Sequence, residues 1–205
     1  MVCYRSAIKL EGRNRVMRVT QYFVAAAVAI GLAASPAAAQ LGSEAERFVA
    51  AVRDRDASAA MGAIRSRPTI VDSKDNQGET GLLVAIARRD EDWLLFLLAN
   101  GADPNAPARN SERPLIAAAR IGYATAVSQL LARKAKVDAG NKMGETALIV
   151  AVQQRHLPIV RMLLGAGADP DKADSAAGYS ARDYARRDAR SREILKLIEA
   201  RKPKA

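Results

Sequence analysis

His156 is the only histidine in the chain, so any search for acid–base chemistry begins there. Together with Ser180 and Asp183 it supplies the three side-chain types of a Ser-His-Asp hydrolase, a set recognised by geometry and not by order in sequence. Ser180 and Asp183 also suit the start of a helix, where a hydroxyl and a following carboxylate satisfy free N–H groups. Metal chemistry has little to draw on. One histidine and one cysteine, Cys3, cannot build a multi-histidine or Cys/His site. Asp103, Asp138, Asp169 and Asp171 offer carboxylates, but calcium needs about 6–8 oxygens converging on one point. Short acids beside Gly and Pro more often accept hydrogen bonds within their own turn. Gly165-Ala166-Gly167 lacks the lysine and the preceding strand of a phosphate loop. We expect no catalytic, cofactor-binding or metal-ligating residue.

The elements that would have to position these groups repeat. Gly78-Glu79-Thr80-Gly81-Leu82, Ser111-Glu112-Arg113-Pro114-Leu115, Gly144-Glu145-Thr146-Ala147-Leu148 and Gly178-Tyr179-Ser180-Ala181-Arg182 lie 33, 33 and 34 residues apart. Ala85, Ala118, Ala151 and Ala185 follow in step, then Leu97-Leu98, Leu130-Leu131, Leu163-Leu164 and Leu197-Ile198. Several independent features on one period predict a stacked repeat array. Apolar residues at i, i+3 and i+4 (Leu94/Leu97/Leu98, Val127/Leu130/Leu131, Val160/Leu163/Leu164, Ile194/Leu197/Ile198) make one stripe on the second helix of each unit. The recurrent alanine lets the first helices approach closely. Thr80, Thr146 and Ser180 are placed to cap those helices, and Gly101 and Gly167 to end the second ones in a left-handed residue. Trp93 aligns with Ile159 and is expected in the core.

These residues resemble the ankyrin repeat, with its Gly-x-Thr-Pro-Leu-His start, its Leu-Leu pair and its Gly-Ala-Asp end. The resemblance covers residues 44 to 200. It implies an all-α solenoid of four to five helix-turn-helix units joined by short β-hairpin-like loops. The implied division is an N-terminal cap at 44–72, repeats at 73–105, 106–138 and 139–171, and a C-terminal cap at 172–200. Within the cap, Phe48, Val49, Val52, Met61 and Ile64 keep the apolar register, and Arg65 replaces its last member. The motif's histidine is missing from every unit, replaced by Leu83, Ile116, Ile149 and Asp183. His156 instead falls where the family has Gly-His before the second helix. The unit at 106–138 departs most, with Ser111 for the turn glycine, Arg113 for the capping threonine and Lys134 for the terminal glycine.

Residues 1–39 are of another kind. Arg5, Lys9, Arg13, Arg15 and Arg18 precede an apolar run from Tyr22 to Ala34, then Pro36 and Ala37-Ala38-Ala39. That order is a secretory signal peptide, expected to be cut after Ala39, and Met17 would begin one of more usual length. The run is shorter than the ~20 residues of a membrane span. The chain has no Asn-x-Ser/Thr sequon. Taken with the alanine-rich signal, that points to the bacterial periplasm. Cutting there removes Cys3 and lowers the net charge from +10 to +6, and nine basic against four acidic residues from Arg182 onward supply most of it.

A binding scaffold without catalysis follows from the resemblance. Such arrays meet protein partners on the concave face, here marked by Ala87, Arg120, Gln153 and Arg187 in one register with Arg88, Arg89, Gln154, Arg155 and Arg186 beside it. That basic column suits a protein with an acidic surface, bound by a monomer without nucleic acid or membrane. Likeness to small exported bacterial ankyrin proteins implies a part in oxidative-stress defence, supporting a catalase. The other readings are a secreted effector acting on a host protein and a minor hydrolase using His156.

Overall fold

A computed structural model describes residues 36–200, with side chains from Glu44 on. The signal-peptide reading falls mainly on residues 1–35, outside the described residues. Pro36–Ala39 form the first turn of a helix, where proline is well tolerated because its missing N–H has no partner to lose. The chain divides after Leu41, and the account below concerns the unit that follows.

Ten α-helices occur among the described residues, in five antiparallel pairs. The first, inner helices are α1 (Pro36–Arg53), α3 (Gly81–Ala87), α5 (Pro114–Arg120), α7 (Ala147–Gln153) and α9 (Ala181–Arg187). The outer helices are α2 (Ala57–Ser66), α4 (Glu91–Ala99), α6 (Ala124–Ala132), α8 (Leu157–Gly165) and α10 (Arg192–Glu199). From the second pair on, inner helices pack on inner and outer on outer, and Gly81 of α3 lies against Phe48 and Val52 of α1. Ala85, Ala118, Ala151 and Ala185 are buried between the inner helices. Leu94, Leu97, Leu130 and Leu163 are wholly buried in the outer layer, each worth ~1.5–3 kcal/mol over an exposed leucine. Leu131 and Leu197 are half-buried. Trp93 lies in the core at 6% exposure, edge-on to Phe96. Phe48, Val49, Val52 and Ile64 are buried in the first pair, while Arg65 is exposed, as the register predicts.

Hairpins join the units. Asp75, Ala108 and Asn141 each donate a backbone N–H to the carbonyl four residues on, and Asp174 to Tyr179 five residues on. That extra residue accounts for the final 34-residue spacing. Adjacent hairpins are tied where the Arg109 N–H meets the Gly78 carbonyl at 2.9 Å and the Ser175 N–H meets that of Met143 at 2.8 Å. Thr80, Thr146 and Ser180 accept the N–H of Leu83, Ile149 and Asp183 at 3.3, 3.3 and 3.2 Å, the expected caps. Asp183 returns the bond by accepting the Ser180 N–H at 3.0 Å.

Three of the hairpins are braced by a carboxylate or amide at their start. Asp75 Oδ1 accepts the N–H groups of Gln77 and Glu79, Asn141 Oδ1 those of Met143 and Glu145, and Asp174 Oδ1 those of Ala176, Ala177 and Gly178. Ala108 holds that register in the third unit, where a short 3-10 turn at Arg109–Ser111 stands instead and Ser111 takes φ +58°.

A second ladder runs from unit end to unit end. Asp72 Oδ1 accepts the Asp103 N–H at 2.9 Å, Asn105 Oδ1 that of Lys136 at 2.7 Å and Asp138 Oδ1 that of Asp169 at 2.8 Å. Asp103 and Asp169 make the expected local turn bonds, to Asn105 and Asp171. Asp138 does not: it binds the next unit. The ladder's fourth member, Asp171, pairs with Arg182 at 2.6 and 3.0 Å. Arg182 stands in the register that Leu82, Leu115 and Leu148 fill within the core.

Candidate binding groove

Both ends of the inner helices carry polar residues, and the two ends do different work. At the turns between inner and outer helices the backbone is left-handed at Arg55 (φ 58°), Arg89 (55°), Gly122 (70°) and Arg155 (56°). Each such residue meets the following unit. Arg55 pairs with Asp90 and Asp92, both at 3.4 Å. Arg89 donates to the Ile121 carbonyl and its guanidinium lies 5.9 Å from the Tyr123 ring. Arg155 reaches Asp188 at 3.3 Å. Gly122 leaves room for the His156 ring, which a Cβ there would approach to 2.6 Å. Arg88 donates to the Arg53 carbonyl. Of the expected partner-binding residues, Arg88, Arg89 and Arg155 therefore tie neighbouring units together, a role that depends on inter-unit distances and cannot be read from one unit's sequence.

On the hairpin side, side chains of the hairpin bases face those at the ends of the inner helices, and the strip between the two rows is the candidate groove. Its far wall is a row the sequence reading passed over: Glu79, Glu112, Glu145 and Tyr179, one per hairpin. The row was visible within the quoted repeat motifs, but nothing in sequence marked it as facing the inner helices. Opposite stand Arg53, Ala87, Arg120, Gln153 and Arg187. Arg53 is 2.6 Å from Asp75 and 2.9 Å from Glu79. Arg120 is 3.4 Å from Glu112 and 3.9 Å from Glu145. Arg187 has no carboxylate among the described residues and lies 4.2 Å over the Tyr179 ring. Gln153 is half-buried beside the Tyr184 hydroxyl, while Gln154 and Arg186 are exposed. Of the arginines on this wall, Arg53 and Arg120 are thus matched by acids, and Arg187 is matched by a ring.

Burial pushes the Asp75 carboxyl up, but the Glu79 N–H, the Arg53 guanidinium and the Gln77 N–H outweigh it and hold Asp75 below the usual carboxylate range. Asp174 behaves alike: burial raises it, while the Ala177 N–H, the Tyr184 hydroxyl and the Gly178 and Ala176 N–H groups bring it down.

The residues that suggested hydrolysis are not brought together. Ser180 stands at the hairpin end of α9 and His156 beyond the opposite end of α7. Since α7 and α9 lie side by side, a helix length of roughly 10 Å separates the two positions. Asp183 bonds Ser180 at 2.6 Å, closing the helix cap. No group of three or more His, Cys, Asp or Glu able to hold a metal ion occurs among the described residues. None of the described helices is long and apolar enough to cross a membrane.

Comparison with known proteins bears on the repeat units. The family model "Ankyrin repeats (3 copies)" matches residues 82–174. The chain is 30% identical over 141 residues to the ANK repeat-containing protein nipk-1 of Caenorhabditis elegans, an alignment covering 60% of this chain and 23% of that one. It is 31% identical over 114 residues to a putative ankyrin repeat-containing protein of Treponema pallidum, covering 55% of this chain and 38% of that one. Against the human mitochondrial disaggregase it is 43% identical over 65 residues, 32% of this chain and 9% of that protein. The chain therefore spans well under half the length of these relatives.

Proposed function

This chain is an ankyrin-repeat protein, and from that premise we propose that it is a non-catalytic scaffold which binds a protein partner in the groove between hairpins and inner helices. One observation carries the proposal. Arg120 and Glu112 face each other across the groove, so hairpin and helix side chains form a single continuous surface. Ankyrin arrays as a class act as interaction modules, and a surface fixed by caps and inter-unit bonds binds with little ordering cost.

The test compares two variants of the full chain as bait. Ala87→Glu with Gln154→Glu alters an exposed groove position and the exposed neighbour of another, Gln153, and Ser128→Glu alters the exposed outer layer. The groove variant is expected to lose a partner that the wild type and the outer variant both retain. Retention by all three, with matching melting curves, removes the groove as the binding face.

We further propose that the scaffold works in the bacterial periplasm after cleavage at Ala39, supporting oxidative-stress defence. The residue pattern of 1–39 supports export. Cell fractionation with mass analysis of the N-terminus is expected to find a chain starting at Gln40, and peroxide survival of a deletion strain tests the defence role. A full-length cytoplasmic chain ends the export proposal.

A further inference from the structure

The groove is not uniform along its length. Over the earlier units each arginine at an inner-helix end meets a glutamate of the hairpin row, Arg53 with Glu79 and Arg120 with Glu112. In the last unit the row changes to Tyr179, and Arg187 stacks on its ring at 4.2 Å. An aromatic ring holds a guanidinium in place without cancelling its charge, and leaves the N–H edge free to grip a carboxylate in bidentate fashion. The carboxylates around Arg187 in sequence are already engaged, Asp188 with Arg155 and Arg190. Asp174 accepts three backbone N–H groups and the Tyr184 hydroxyl at 2.7 Å, Asp183 closes the α9 cap, and Asp171 holds Arg182.

Large apolar side chains stand on the last two hairpins and on the helix that follows them. Tyr179 and Tyr184 meet edge-to-face at 5.7 Å, both half-buried. Tyr184 is fixed by Asp174, so its ring forms a rigid wall. Met143, on the tip of the hairpin bonded to this one through Ser175, is 50% exposed, the one large hydrophobic side chain so exposed among the described residues. Tyrosine and arginine held rigid in a concave setting are the side chains that most often dominate binding energy at interfaces.

We propose that this end of the groove, built from Met143, Tyr179, Tyr184 and Arg187, is the anchoring subsite for an acidic peptide segment of the partner, one in which Asp or Glu stands beside a large apolar residue. The carboxylate takes the free edge of Arg187 and the apolar side chain packs on the tyrosines and Met143. Glu145 and Asp174 flank the subsite, so a single carboxylate with an apolar neighbour fits better than a continuous polyanion such as nucleic acid. The subsite rests on the groove being the binding face, and its test separates the two.

A displayed library of random peptides is selected on the full-length chain, and the recovered peptides are measured by fluorescence anisotropy. The expected sequences pair Asp or Glu with Phe, Leu or Met. Tyr179→Glu gives Arg187 the acidic partner that Arg120 already has, and it is expected to weaken those peptides about tenfold or more. Arg187→Gln does the same, and Arg109→Glu, on another hairpin, leaves affinity unchanged. Melting curves confirm that each variant folds. Recovery of basic peptides, of none, or of peptides indifferent to both substitutions overturns the subsite, as does tighter binding of oligothymidine than of peptide. If the recovered peptides respond only to Ala87→Glu with Gln154→Glu, the groove stands and the subsite falls.

Discussion

Lys134 has φ +62° where Gly101 and Gly167 have +90° and +97°, and its side chain is exposed. A left-handed non-glycine residue costs about 1 kcal/mol relative to glycine, so Lys134→Gly is expected to raise stability by roughly that amount in a urea titration. Gly122→Ala is expected to do the reverse by more, since it adds the same backbone strain and drives a methyl group into the His156 ring. The left-handed lysine was legible in sequence because the period assigns it to a glycine's place. The left-handed arginines were not: Arg55, Arg89 and Arg155 sit where only Gly122 keeps the family's glycine, and their bonds reach a neighbouring unit. Asp75 and Asp174, both nearly buried and both held below the ordinary value of 3.8, set an acid limit. A carboxylate depressed in the fold contributes its full stability above its unfolded pKa and loses it as the pH falls through the folded one. Stability is therefore expected to erode below about pH 4, and Asp75→Asn with Asp174→Asn to flatten that fall while lowering stability at neutral pH. Melting temperature against pH reads both. A slope unchanged in the double variant contradicts the assignment.

Helices of seven to nine residues are too short to persist alone, so their ends and neighbours decide whether they form. Two inner helices begin with a threonine cap worth about 1 kcal/mol. At α5, Pro114 takes the first position, and Arg113, lacking a cap bond, sends its guanidinium to the Asn105 carbonyl at 2.8 Å and the Gly140 carbonyl at 3.2 Å. The sequence shows a lost cap there, and the structure adds a clamp across two unit boundaries. Arg113→Ala is thus expected to cost more than Thr80→Ala, although threonine is the family's residue and arginine the departure. Chemical denaturation followed at Trp93 compares them. Equal costs would mean the clamp contributes nothing. Helix number, order and inward faces were legible because a period of 33 and a stripe of leucines each over-determine them. The hairpin braces at Asp75, Asn141 and Asp174 were not, because a turn acid looks alike whether it bonds its own loop, the next unit or solvent.

Over the whole molecule, the fold was readable and the groove only in part. The sequence places Arg120, Gln153 and Arg187 in one register, which the structure keeps, but Glu112 meets Arg120 only when the hairpin folds back along its own helix, and Glu145 only on stacking. One consequence concerns the far end of the array. The rungs Asp72, Asn105 and Asp138 each present an acceptor to the segment that follows, and Asp171 would present a fourth. Arg182 fills it, using a position that elsewhere feeds a leucine to the interior. The earlier rungs each reach a backbone N–H of the unit that follows, and this one is closed by a side chain instead. Arg182→Gln should therefore lower the melting temperature at neutral pH and leave it unchanged in acid, where Asp171 is protonated and has no ion pair to lose. The guanidinium at 182 thus does with one side chain what a main-chain amide does at each of the other three steps.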